Sequence, residues 1–263
     1  MKKQIAMKQF TVLRSVAVAV LLLGGSSLLH AQMPGGGANS AVSATMLKLF
    51  GKNAAFTAKM TVRILDASNQ ETMTMPMTMA VTDGKVRNDV NMAELKSAMI
   101  PPQAIEQMTK MGMDKMTSIV RNDLKKSFQI YPGMKSYLEV PIGAEDAQNL
   151  EKEAKIEKTE LGKETIDGHA SVKNKVVITD AAGKAQEFTV WNATDLKDFP
   201  VQIQVKDNGQ NVMMNYTDVK FAKTDAKQFE APTGFTKYSS MQEFQQAMMQ
   251  KMMGAASTPA PPK

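Results

Sequence analysis

The chain has 263 residues, with 32 Lys and Arg against 26 Asp and Glu, two His and no Cys. Four of those cations and none of the acids fall in residues 1–31, leaving 28 against 26, a net +2, for the rest. So even a balance excludes nucleic acid as the expected partner, because phosphate neutralisation needs clustered Lys and Arg. Without cysteine neither a disulfide nor a lipid-modified N-terminal cysteine can form, and the fold must rest on its core alone.

Lys2, Lys3, Lys8 and Arg14 precede an apolar run from Val16 to Leu29 and the small residue Ala31. This is the order of a cleavable secretory signal over residues 1–31. The run is too short and too rich in Gly and Ser for a spanning helix, which needs roughly 20 apolar residues. The mature protein is therefore expected in the periplasm or outside the cell, with no stable membrane insertion after cleavage. Residues 32–39, with Gly35 to Gly37, read as a flexible spacer. A single domain is expected over 40–253, and a Pro-rich disordered tail over 254–263.

Within that domain a short helix is predicted up to Phe50, stopped by Gly51. The period then changes to two. Phe56, Ala58, Met60, Val62 and Ile64 form one apolar face; Met73, Met75, Met77, Met79 and Val81 form a second; Val86, Val90 and Met92 form a third. Asp83-Gly84 is a hairpin turn between the last two. Pro76 removes a ladder donor, which predicts an edge or bulged position for its strand. From Ala93 to Lys115 the alternation breaks, and Pro101-Pro102 separates two expected helical pieces that would lie as a lid over the sheet, bringing Ile105, Met108 and Met111.

Strands are predicted again at 117–121, 127–131 and 136–140, with turns at Asn122-Asp123 and Pro132-Gly133. The charged segment from Glu145 to Lys155 reads as a connector. Five more strands follow at 155–161, 170–179, 184–191, 201–206 and 211–221, with turns at Asp167-Gly168, Ala182-Gly183 and Asn208-Gly209. Ser240 and Glu243 form a capping box for a last helix with Met241, Phe244, Met248 and Met252 on one stripe. The fold class is thus mainly antiparallel β with short covering helices, an α+β domain.

Catalytic chemistry has little to stand on. His169 is the one histidine left after the signal, in an Asp167-Gly168-His169 turn without a second ligand or an evident nucleophile, and it reads as a turn-packing residue. Trp191 reads as a core anchor. No catalytic residue, metal or cofactor is expected. The anomaly is methionine, 23 residues in all. Period two puts Met73, Met75, Met77 and Met79 on one strand face. That face suits core or lid packing, an adaptable surface for apolar ligands, or soft thioether ligation of monovalent copper.

Three segments carry a resemblance: Leu161-Gly162-Lys163-Glu164-Thr165-Ile166-Asp167-Gly168-His169, Val190-Trp191-Asn192-Ala193-Thr194-Asp195-Leu196-Lys197-Asp198-Phe199-Pro200-Val201, and Phe229-Glu230-Ala231-Pro232-Thr233-Gly234-Phe235. Together they resemble exported domains of the lipoprotein-carrier type, LolA-like and LolB-like, in a branch of unknown function. The resemblance spans roughly residues 41–238. It implies a curved half-barrel whose concave apolar face, covered by short helices, shelters an acyl chain. Arg63, on the polar face of the first strand, is the candidate counterpart of the carriers' early-strand arginine. The Met-rich lining departs from the usual Leu, Ile and aromatic one.

The expected function is a non-enzymatic binding protein for a lipid or other apolar moiety, including the acyl group of an acylated protein. Its expected ligand-binding residues are Met60, Val62, Met73, Met75, Met77, Met79, Val86 and Val90 on the sheet, with Met108 and Met111 from the lid. A Met-rich copper-handling protein and a ligand-free structural or interaction module of the envelope are the alternatives.

Overall fold

Apolar–polar alternation becomes long two-faced strands. In a computed structural model that describes residues 46–142, 154–180, 183–207 and 210–256, thirteen strands join in one sheet. The expected signal, spacer and start of the first helix lie outside the described residues. So do 145–153 of the charged connector, Ala182, the Asn208-Gly209 turn and the tail beyond Ala256.

The strands are β1 (Ala55–Leu65), β2 (Glu71–Thr82), β3 (Lys85–Asn91), β4 (Lys96–Ser97), β5 (Lys115–Arg121), β6 (Lys126–Tyr131) and β7 (Ser136–Pro141) in the first half. The second half supplies β8 (Lys155–Ile166), β9 (His169–Thr179), β10 (Ala185–Ala193), β11 (Phe199–Asp207), β12 (Gln210–Lys220) and β13 (Thr236–Tyr238). Among the described residues they are accompanied by α1 (Pro102–Lys110) and α2 (Met241–Ala256), and residues 46–48 are helical as well.

Their spatial order is β13-β7-β6-β5-β3-β2-β1-β12-β11-β10-β9-β8, with β4 added to β2. All pairings are antiparallel except that of β13 with β7. The sheet is curved and does not close, and the domain is an α+β half-barrel. Both Asp-Gly turns have positive φ at their two central residues, 49° and 75° at Asp83-Gly84 and 49° and 86° at Asp167-Gly168. Such turns match the twist of the strands they join.

Pro76 corrects one expectation, since β2 lies in the interior of the sheet, and its pairing with β1 runs without a bulge at Thr61 opposite Pro76. On its other side β3 pairs only Met77 to Thr82, and β4 only Met73 and Thr74. Pro76 falls in the gap between them, where no ladder donor is required.

The segment between β3 and β5 also differs from the two helical pieces expected. It is a 3₁₀ turn over Met92–Glu94, then β4, then one helix, α1, with Pro102 in its first turn. Pro102 lacks an N–H and its ring disfavours helical geometry in the residue before it, so the helix starts there instead of running through. Past α1 the backbone of Gly112 crosses Gly133. A Cβ added at Gly112 would lie 2.8 Å from the Gly133 carbonyl carbon. Only glycine permits this contact, which ties the end of the cover to the turn after β6.

Two apolar clusters lie on opposite sides of the sheet's first half. The larger fills the inner face and draws in Met92 and Leu95, with Ile100, Ile105 and Met108 packed against it. The smaller, on the outer face, joins Ala80, Ile119, Phe128 and Ile130 to Phe229. Arg87 and Arg121 donate hydrogen bonds to the carbonyls of Gln228 and Phe229, 2.8 and 3.3 Å away, holding that return segment on the outer face. The last helix docks through Phe244, which stacks on Tyr131 at 4.9 Å. One half of its expected capping box forms, the Glu243 N–H donating to Ser240 Oγ at 3.1 Å, while Glu243 Oε2 accepts from the N–H of Ser239, one residue before the cap, at 2.8 Å.

Candidate functional site

The inner-face residues of β1 and β2 meet in register. Met60 lies opposite Met77 and Tyr216, Val62 opposite Met75 and Met214, and Ile64 opposite Met73 and Val212. Met77 is in turn opposite Val90, and Val81 opposite Val86. One row therefore runs Val90–Met77–Met60–Tyr216 across four strands, and a second runs Met75–Val62–Met214–Ile203–Val190 across five. Directly opposed side chains on one face have Cβ atoms about 5 Å apart, so each row is a continuous contact line.

All eight sheet residues expected to bind a ligand are buried within this one cluster: Met60, Val62, Met73, Met75, Met77, Met79, Val86 and Val90. Met108 packs against the same cluster from α1. Met111, just past α1, is half-buried and is not among the side chains that pack there.

Beyond Met60 the surface becomes aromatic. Phe50, from the turn before β1, lies 4.8 Å from Phe56, 5.3 Å from Phe199 and 5.5 Å from Tyr216 between ring centroids. Phe199 meets Phe56 and Tyr216 edge-on. Tyr216 is 1% exposed, and its hydroxyl has no hydrogen-bond partner among the described residues. Burial pushes its phenol pKa up, so it stays a neutral donor. Asn88, opposite Met79 on the same face, also buries a side-chain oxygen without a partner among the described residues. Sequence reasoning passed over both, because Tyr216 alternates like any apolar strand residue and Asn88 like any polar one. Alternation reports a face and leaves the surroundings of a hydroxyl unstated.

The other face of the same strands is polar. Arg63 sits there, donating from Nη2 to Asn215 Oδ1 at 3.1 Å, while Asn215 Nδ2 donates to Gln202 Oε1 at 3.0 Å. The candidate arginine thus points away from the methionine rows.

The segments that carried the family resemblance make structure. Trp191 Nε1 donates to Glu164 Oε2 at 3.0 Å, and Lys173 Nζ reaches Glu164 Oε1 at 2.8 Å while lying 5.0 Å from the Trp191 ring centroid. Trp191 is buried, as a core anchor should be. The hydrogen bond from Lys173, and after it that from Trp191, holds the Glu164 carboxyl below the usual range. His169 Nδ1 lies 2.7 Å from Asp195 Oδ2, and this contact lowers the Asp195 pKa. Around it Asn192 accepts from buried Asn174 and donates to the Asp198 carbonyl, and Thr194 Oγ1 donates to the Ala170 carbonyl. The Asp167-Gly168 hairpin and the loop after β10 are therefore locked together, which is the turn-packing role expected of His169. Among the described residues no group of three or more His, Cys, Asp or Glu is placed to hold a metal ion. No helix among them is long and apolar enough to cross a membrane.

No protein-family model matches the sequence, and no curated protein matches it. The chain is similar in structure to several solved proteins. One is LprF from Mycobacterium bovis, at 17% identity, over 75% of this chain and 99% of that one, with a TM-score of 0.38. Another is a LolA superfamily protein from Nitrosomonas europaea, at 11% identity over 74% and 99%, with a TM-score of 0.39. A third is the lipoprotein LppX from Mycobacterium tuberculosis, at 10% identity over 70% and 96%, with a TM-score of 0.38.

Proposed function

We propose that this protein is an exported, non-enzymatic binding protein that shelters a lipid or another apolar moiety between the methionine rows of β1 and β2 and the cover formed by α1. The observation that carries this reading is one continuous inner face on which Met60, Met73, Met75, Met77 and Met79 are brought together beneath Met92, Ile105 and Met108. Unbranched thioether side chains re-pack around guests of different shape at little cost, whereas β-branched residues fix one packing. Loading is driven by apolar area leaving water, roughly 25 cal/mol per Å². Release follows displacement of the cover, whose sheet attachment is the two-residue strand β4.

Uptake of diphenylhexatriene, a fluorescent hydrocarbon, tests the reading. Met75→Glu places a carboxylate among the methionine rows and should weaken uptake at least tenfold, while Thr74→Glu, on the outer face, should leave it unchanged. Circular dichroism establishes first that both variants fold, since a buried charge also unfolds domains. Equal uptake by wild type and a folded Met75→Glu variant, or none by wild type, would sink the ligand reading in favour of a structural module. Native mass spectrometry of the purified protein separates bound lipid from bound copper, and copper without lipid would favour the metal-handling alternative.

A further inference from the structure

We infer that the ligand is a neutral acyl ester whose carbonyl oxygen accepts a hydrogen bond from the hydroxyl of Tyr216. The inference rests on the binding role just proposed and adds a polar contact to it. Among the described residues Tyr216 is one of the largest fully buried side chains, and none of them partners its hydroxyl. A phenylalanine would fill the same aromatic nest of Phe50, Phe56 and Phe199 without the cost of stripping water from a hydroxyl, a cost that goes uncompensated when no partner is supplied. An acceptor brought in with the ligand removes that cost. Tyr216 also stands where such an acceptor would arrive, at the end of the Val90–Met77–Met60–Tyr216 row. An acyl chain lying along the methionines would present its head to the phenol.

The character of the acceptor follows from the neighbours. Phenol O–H donates well to a carbonyl oxygen. The residues around it in register and in ring contact are Met60, Phe50 and Phe199, none of them charged. An ionised carboxylate there would be buried without a cation, which is far more costly than a neutral ester. The site should therefore prefer an esterified chain over the free fatty acid.

The experiment compares wild type with Tyr216→Phe for three probes: diphenylhexatriene by its fluorescence, and methyl laurate and laurate by displacing it. Tyr216→Phe should weaken methyl laurate five- to tenfold more than it weakens diphenylhexatriene, and wild type should bind methyl laurate more tightly than laurate. With carbonyl-labelled methyl laurate, the infrared carbonyl band should lie at lower wavenumber in the wild-type complex than in the Tyr216→Phe complex, a readout independent of affinity. Equal binding of the ester by both proteins with equal carbonyl bands overturns the inference, as does laurate binding more tightly than its ester. Uptake of diphenylhexatriene without any displacement by methyl laurate also overturns it, while leaving the binding role standing. Failure of wild type to take up any of the three defeats the binding role itself.

Discussion

The inner face has two regions built from different side chains. On β2 four alternate buried positions in succession are methionine, Met73, Met75, Met77 and Met79, with Met60 beside them on β1, whereas on β9 to β11 the apolar inner positions are Val176, Ile178, Phe188, Val190, Phe199, Val201 and Ile203, with no methionine among them. Both regions belong to one cluster, but Met73, Met75, Met77 and Met79 keep 4–8% of their surface exposed, while Phe199, Val201 and Ile203 keep none. Branched and aromatic side chains with few rotamers seal one half, and unbranched chains with three rotatable bonds line the other. Under the binding role proposed above, the sealed half specifies the fold and the methionine half is the one that accommodates the guest.

The largest effect should come from the sealed half. Phe199 is fully buried and meets Phe50, Phe56, Tyr216 and Phe221. Phe199→Ala should cost about 3–5 kcal/mol in urea unfolding, the usual range for deleting a buried aromatic. Met77→Leu, in the other half, should cost under about 1.5 kcal/mol, since it nearly conserves volume and Met readily tolerates exchange. A Met77→Leu cost equal to that of Phe199→Ala would erase the contrast and make the methionine rows a specified, filled core.

How much of this was legible in the sequence follows the range of each interaction. Strand alternation and the Asp-Gly turns are local, and the inner-face residues of β1 to β3 were read one by one. Sheet order is not local. Pro76 reads as an edge signal, and only the separate pairing of β2 with β3 and β4 shows how an interior strand accepts it. The Phe229 segment reads as a motif, yet its place on the outer face depends on Arg87 and Arg121, more than a hundred residues away in the chain. Alternation puts Arg63 on the polar face, where it pairs with Asn215, and that position by itself takes it away from the methionine rows. The motif around Glu164 signalled a likeness, while its physical work, accepting from Trp191 27 residues later, needed the hairpins to be assembled.

That work gives the smallest and most specific expectation, and it lies on the outer side of the sealed half. The ordinary glutamate value is 4.5, and in the folded protein the Glu164 carboxyl titrates below it, because Lys173 and then Trp191 hydrogen-bond its charged form. A carboxyl whose folded pKa is depressed binds fewer protons folded than unfolded. Its stabilisation is therefore complete above the unfolded value and is lost as pH falls through the folded one. The window lies below pH 4.5, and the effect is modest because the side chain is 45% exposed and screened by solvent. Glu164→Gln removes the charge but keeps an acceptor for the Trp191 N–H. Its thermal midpoint, followed by the fluorescence of Trp191, should lie slightly below that of wild type at neutral pH, and the two should converge as the solution is acidified below pH 4.5. Added salt should narrow the neutral-pH gap in the same direction, since screening weakens the Lys173 pair but hardly touches the indole hydrogen bond. A gap that stays constant from neutral pH into acid would mean that Glu164 acts here through shape alone. The link between the two motif segments would then be a matter of packing, with no electrostatic part.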